Sequence, residues 1–157
     1  MDQAGNVLID LTLATDELLA EAALRVRCPL ALVVAVDATS HSVLFGLNRW
    51  RGEYELPGGM IEEGESFMAA AVRELEEETA IRINSLELIG YARFELSQPK
   101  REELAAVYYV LLPDPQPRAS QELQAFAWRT PLSQSIVPIS LLDDVIAEWA
   151  VRSRRGR

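Results

Sequence analysis

Seven glutamates and one arginine fall between Ile61 and Ala80, and no other stretch constrains the chain as tightly. Glutamates 62, 63, 65, 74, 76, 77 and 78, set against Arg73, leave this segment with a formal charge of −6. Ser66 to Thr79 reads as a helix, with Ser66 as N-cap and Phe67, Ala70, Ala71, Leu75 and Glu78 recurring at helical spacing. A helix turns about 100° per residue, so Glu74, Glu77 and Glu78, at i, i+3 and i+4, converge on one face within about one turn. Like charges at that spacing destabilise a bare helix by about 0.2–0.5 kcal/mol per pair. A divalent cation relieves that repulsion, and hard oxygen donors suit Mg2+ or Mn2+, which also bind phosphate oxygens. The alternative is a solvated acidic face, because glutamate is a good helix former. The helix alone leaves both open. The preceding Pro57-Gly58-Gly59 favours the first, since glycine lets the backbone approach a ligand and loop carbonyls add oxygen donors.

Around this segment the chain reads as one domain over residues 1–157, without internal repeat, low-complexity tract or linker. Asn6–Leu13 reads as a short strand, and Thr15 caps a helix over Asp16–Val26. Pro29–Val36 is a short apolar run rich in valine and leucine, as in a buried strand. Ser42–Leu47 follows as its hairpin partner after a turn that ends at His41, and Glu53–Leu56 is a further short strand. Ile81–Leu96 and Leu104–Leu112 read as paired strands, Pro113 to Pro117 as a loop, and Leu123–Trp128 as another strand. A last helix starts near Ser140 and runs to about Arg152. Strands interleaved with helices indicate an α/β fold, an α+β sandwich.

Composition narrows the function. The formal net charge is −9, and the clustered carboxylates argue against nucleic acid as a direct partner. The basic end, Arg152 to Arg157, reads as a frayed tail. The longest apolar stretch, Pro29–Val36, is far too short to span a bilayer. The amino terminus lacks the basic start and apolar core of a signal peptide. A lone cysteine, Cys28, suits a reducing compartment and packs as a small buried thiol. A cytoplasmic protein without membrane association is the expectation.

The run from Gly59 to Ile81 resembles the signature of the Nudix family, Gly-x5-Glu-x7-Arg-Glu-U-x-Glu-Glu-x-Gly-U, with U a large aliphatic residue. Gly59, Glu65, Arg73, Glu74, Leu75, Glu77, Glu78 and Ile81 fall in register, and Ala80 stands where the family has glycine. A glycine there would be a helix C′ residue with positive φ, so alanine either carries a modest steric cost or ends the helix differently. The resemblance implies the Nudix fold, a mixed β-sheet flanked by helices. It also implies hydrolysis of a substrate built from a nucleoside diphosphate linked to another group. Glu74, Glu77 and Glu78 take the metal-ligand positions, with the Gly59 carbonyl as a further ligand and Mg2+ or Mn2+ as the ion. Arg73 and Glu65 form an ion pair that holds loop to helix. Glu62, Glu63 and Glu76 fall at variable positions and are expected in solvent.

Within that resemblance the bound metal neutralises the diphosphate and helps deprotonate the attacking water, and in-line displacement follows at one phosphorus. Glu74, Glu122 and Arg73 are the catalytic candidates. Glu122, after the proline-rich loop, matches the place where some family members carry a loop glutamate beside the site, and it is the preferred base. Glu102 and Glu103 are weaker candidates because they begin a strand. Arg49 and Arg51, just upstream of the glycine loop, are candidates for phosphate contact, against ordinary solvation. Trp50, Tyr54, Tyr91, Phe94 and Trp128 divide between base stacking and core packing. The proline, tyrosine and longer downstream markers of the ADP-ribose, dinucleoside-polyphosphate and NADH subfamilies are absent at their spacings, as is the coenzyme A motif. Elimination leaves a nucleoside triphosphate, in ordinary or oxidised form, as the small-molecule partner. Two alternatives stand beside it. One is an ADP-ribose or nucleotide-sugar pyrophosphatase, working as a homodimer with an interface from the segment before Pro29. The other is a catalytically silent nucleotide-binding regulatory module, against which the intact glutamates argue.

Overall fold

In the computed structural model, which describes residue 2 and residues 4–156, the strands follow the apolar runs of the sequence. They are β1 (Val7–Leu13), β2 (Leu30–Asp37), β3 (Val43–Asn48), β4 (Tyr54–Glu55), β5 (Gly58–Met60), β6 (Glu87–Ser97), β7 (Lys100–Leu112) and β8 (Leu123–Arg129). The helices are α1 (Asp16–Arg25), α2 (Phe67–Thr79) and α3 (Leu141–Arg155). All eight strands join one mixed sheet in the order β1-β6-β7-β2-β3-β4, with β5 beside β2 and β8 beside β3.

The apolar run in β2 is explained by its place. It pairs in parallel with β7 along its whole length, from Leu30 opposite Ala105 to Asp37 opposite Leu112. Helices cover both of its faces, so alternation with polar residues is lost. Ala31, Val33 and Ala35 meet Leu19 of α1 and Ala70, Ala71 and Leu75 of α2 on one face. Val34 and Val36 meet Ile146, Ala147, Ala150 and Val151 of α3 on the other. The mixed sheet flanked by helices, expected from the resemblance, is therefore the observed architecture.

Four expectations are adjusted. Residues 81–86 are not strand, and β6 begins only at Glu87; Ile81 and Leu86 are apolar because they seat the link in the core below α2. β7 begins at Lys100, four residues before Leu104, because a tight connection at Gln98-Pro99 pairs Ser97 with Lys100. That places Glu102 and Glu103 inside the strand, where Glu102 bonds Arg93 and the largely buried Glu103 meets Arg27 and Arg101. The β2–β3 hairpin pairs only at Val36 and Val43, and β5 takes the other end of β2, Leu30 to Leu32. Finally, α3 continues through Arg155, and Arg154 Nε reaches Glu87 Oε2 at 2.7 Å, so the basic segment is mostly helix rather than frayed tail. Met1, Gln3 and Arg157 lie outside the described residues. No helix among the described residues is long and apolar enough to cross a membrane.

Candidate active site

α2 begins where Ser66 Oγ accepts the Ala69 N–H at 3.0 Å, and alanines fill its first turns. Its buried residues are Ala70, Ala71, Glu74, Leu75, Glu78 and Thr79. They form two parallel rows at i, i+4 and i+8 that face the sheet. The row of Ala70 continues through Glu74 and Glu78, so the helix carries two carboxylates inward on its packing face. Glu78 is 4% exposed and Glu74 9%. About 100° of helix rotation separates Glu77 from Glu78, which turns Glu77 outward, with its side chain 60% exposed.

β5 supplies the wall opposite. A Cβ on Gly59 would lie 2.5 Å from Glu74 Cδ, so any side chain there would displace the carboxylate. Gly58, at φ +155°, is pressed against the Ala31 carbonyl, and its N–H reaches Glu78 Oε2 at 3.5 Å. The other Glu78 oxygen, Oε1, is buried and has no hydrogen-bond partner.

Arg73 ties the glycine loop to the helix. Its Nε and Nη2 donate to the two Glu65 oxygens at 2.7 and 2.9 Å, and Nη2 also donates to the Met60 carbonyl at 3.0 Å. Nη1 reaches Glu74 Oε1 at 2.8 Å and Glu77 Oε2 at 3.1 Å. This guanidinium holds the Glu65 carboxyl down to about 2, and its bonds to Glu65 raise its own pKa in return.

A third carboxylate arrives from outside the helix. The loop after β7 is fixed to the end of α2 by Arg118 N–H donating to Thr79 O at 2.8 Å, and Glu122 follows immediately before β8. One carboxylate oxygen each from Glu74, Glu78 and Glu122 lies within 4.8 Å of the other two. Burial, contact with Glu74 and the charge of Glu122 push Glu78 far above the usual carboxylate range. Glu122 is raised as well, by burial and then by Glu74, with Arg51 acting in the opposite sense. Three all-oxygen donors at this separation, one with a buried unpartnered oxygen, fit a hard divalent cation. The geometry thus brings Glu122 to Glu74 and Glu78, and leaves Glu77 on the open side beside Arg73.

Of the upstream arginines, Arg51 is engaged in a bidentate pair with Glu55, at 2.5 and 2.8 Å. Arg49 is exposed, and its backbone N–H donates to Glu122 O at 2.9 Å. Trp50 is exposed, whereas Tyr91 and Trp128 pack on the α2 side of the sheet and Tyr54 and Phe94 on the α3 side. Two residues escaped the sequence reading. Asn48 is buried opposite Leu123, and Asp143, pushed up to about 7 by burial, accepts the Leu56 N–H at 2.9 Å. Asn48 alone carried a signal, an asparagine directly before a glycine-containing turn.

Comparison with known proteins identifies the family and the fold. The family model for the NUDIX domain matches residues 27–139. The bis(5'-nucleosyl)-tetraphosphatase (asymmetrical) of Rattus norvegicus is 32% identical over 106 residues, which cover 62% of this chain and 69% of the rat protein. Nudix hydrolase 10 of Arabidopsis thaliana is 28% identical over 101 residues, 62% of this chain but only 35% of the plant protein. Among solved structures, the NUDIX domain of Shewanella oneidensis NrtR, complexed with ADP ribose, superposes with TM-score 0.66 at 19% identity, covering 90% of this chain and 99% of that one. The Bacillus subtilis pyrophosphohydrolase BsRppH gives 0.65 at 20% identity and 83% of each chain. At those identities the structures speak for the fold, and the family model speaks for the family. The chain belongs to the Nudix hydrolase family, whose members act on nucleoside diphosphate-linked substrates.

Proposed function

We propose that this protein hydrolyses a nucleoside triphosphate, in ordinary or oxidised form, at an anhydride bond of its phosphate chain, with Mg2+ or Mn2+ held at Glu74 and Glu78. The observation that carries this reading is the Glu74–Glu78–Glu122 cluster, within which Glu78 Oε1 is buried without a partner. Burying an unpaired carboxylate costs several kcal/mol, on the order of the penalty for an uncompensated internal charge, and a cation removes that cost. Glu77, on the open rim, and the Gly59 carbonyl, beside Glu74, are the proposed further donors. When bound, the ion supplies Lewis-acid stabilisation of the phosphate oxygens and lowers the pKa of a water.

The chain's own residues do the rest. Arg73 fixes the Glu74 carboxylate and, through Glu65 and Met60 O, keeps the glycine loop against the helix. Glu122 enters from a loop and is free of the Arg73 network, which suits it to accept the proton of the attacking water. Arg49, whose backbone N–H donates to Glu122 O, and Arg51, paired with Glu55, are the proposed contacts for the phosphate chain. A long phosphate chain is also in keeping with the tetraphosphatase relative from rat. A cytoplasmic nucleotide pool is the matching source of substrate.

A substrate panel with Mg2+ and with Mn2+ tests the reading, scoring phosphate, pyrophosphate and nucleoside monophosphate. Release of monophosphate and pyrophosphate from a nucleoside triphosphate is expected. Cleavage of ADP-ribose or a nucleotide sugar with triphosphates untouched would replace this substrate class, and no turnover of any arm would leave a binding module.

A further inference from the structure

Asn48 ends β3 with its side chain 1% exposed, beside residues that the proposed chemistry uses. Its Oδ1 accepts the backbone N–H groups of both Trp50 and Arg51 at 2.9 Å. The Gly52 N–H returns to Asn48 O at 3.0 Å, and the Asn48 N–H donates to Glu53 O at 2.9 Å. Gly52 takes φ +68°, which a side chain would resist. These bonds fold residues 48–53 into one tight turn. With the next two N–H groups taken by Oδ1, the Arg49 N–H points across to the neighbouring strand and donates to Glu122 O at 2.9 Å.

Glu122 is anchored on its other side too. Ser120 Oγ accepts the Leu123 N–H at 3.0 Å, and the Ser120 N–H donates to Leu123 O at 2.8 Å. Leu123 is buried where a Cβ on Gly46 would collide with its Cδ1. The β3–β8 register shifts between Gly46 and Asn48, and that irregularity sets Asn48 opposite Leu123. Glu122 therefore occupies the one point where strand β8, the Ser120 turn and the Asn48 turn meet. Of the side chains involved, Asn48 is the one whose hydrogen bonds shape the turn that grips the Glu122 backbone.

We infer that Asn48 is a positioning residue for Glu122: it folds the 48–53 turn so that the Arg49 N–H holds Glu122 O and the carboxylate stays with Glu74 and Glu78. The inference rests on the proposed role of Glu122 in hydrolysis. Asn48 itself meets neither metal nor substrate. The same turn carries Arg49 and Arg51, the proposed phosphate contacts, so KM reads their displacement and kcat reads that of Glu122.

A double-mutant cycle on the full chain separates this role from mere stability. Steady-state kinetics with Mg2+ and the best triphosphate of the panel are measured for Asn48→Ala, Glu122→Gln and the double variant. Misplacing a reacting group by about 1 Å can cost up to about a hundredfold, so Asn48→Ala should lower kcat by about tenfold or more, while a change in KM would read the displacement of Arg49 and Arg51 on the same turn. In the Glu122→Gln background the same change should lower kcat hardly at all, because the group it positions is already disabled. Asn48→Ser keeps a neutral acceptor for the turn and stays folded, and it should recover part of the lost kcat. Equal fold-losses from Asn48→Ala in both backgrounds would overturn the positioning role while leaving Glu122 in place. Asn48→Ser matching wild type in melting temperature yet no better than Asn48→Ala in kcat would overturn it as well. A Glu122→Gln variant as active as wild type would overturn the role of Glu122 itself, and this inference with it.

Discussion

Ala80 ends α2 in the left-handed region, at φ 63° and ψ 9°, with its N–H bonded to Glu76 O at 2.8 Å. An L residue in that conformation is strained by roughly 1–2 kcal/mol because Cβ crowds the backbone. Glycine is free of that strain but has more unfolded-state entropy to lose, roughly 0.4–1 kcal/mol. Ala80 is exposed, so the substitution leaves no cavity. Ala80→Gly should therefore stabilise the protein by about 0.5–1 kcal/mol, a rise of roughly 1–4 °C in Tm for a chain of this size. Ala80→Val adds β-branching at positive φ and should lower Tm by at least as much. The measurement is thermal unfolding in chelator at fixed pH, with the order glycine, alanine, valine as the expected result. Equal melting temperatures across the series, or a fall for glycine, would refute the reasoning. The ligands lie upstream, so kcat of Ala80→Gly should stay within about twofold of wild type.

Glu78→Gln should abolish the rise in Tm caused by Mg2+ and cut turnover by orders of magnitude, while its melting in chelator matches or exceeds wild type; differential scanning fluorimetry beside a product assay reads all three. Asp143, raised from an ordinary 3.8 to about 7, keeps a proton in the folded state that the unfolded chain has already released. Stability in chelator should thus fall as pH rises from about 4 to about 7, by at most about 1.4 kcal/mol per pH unit for one group, and Asp143→Asn should flatten that slope in a pH series of urea melts. Arg129 and Asp144, their side chains 9% and 8% exposed, pair at 2.8 Å, and Asp144 Oδ2 also accepts the Leu132 N–H at 3.0 Å. Asp144→Ala strands the buried guanidinium and should cost about 3–5 kcal/mol in denaturant unfolding.

Local signals in the sequence were strongest where a single period decides the outcome. Ser66 and Thr15 were legible as N-caps because capping is a bond to the next turn, and both hydroxyls accept the N–H three residues on. The β2 run was legible because burial on both faces removes polar residues altogether. Residues 81–86 were not, because apolar side chains packing as an irregular link look the same in sequence as those of a strand. The early start of β7 was hidden by its polar hairpin end, where Arg93 and Glu102 stabilise a pair that hydrophobicity does not reveal. Pairing of β2 with β5 and β7 is a non-local choice that no local period encodes.

The site shows the same division in sharper form. Spacing identified three helix glutamates as neighbours, but neighbours on a helix surface differ in what lies above them. Glu74 and Glu78 continue the row of Ala70 and enter the protein; Glu77 departs from that row and meets the guanidinium of Arg73. What makes the pair chemically demanding is the third carboxylate, and Glu122 lies 44 positions after Glu78 in the chain. Its arrival depends on Arg118 bonding the end of α2, on Leu123 fitting over a glycine, and on a turn shaped by Asn48. Each is a contact between segments that the chain order keeps apart. The helix thus states which chemistry is wanted, hard oxygen donors under mutual repulsion. The sheet and its loops decide which donors face one another, and they do so largely through backbone hydrogen bonds that almost any residue could have supplied. Asn48, Ser120, Gly46 and Gly58 are residue-specific among those contacts, which is why substitutions there should disturb the site without touching a ligand.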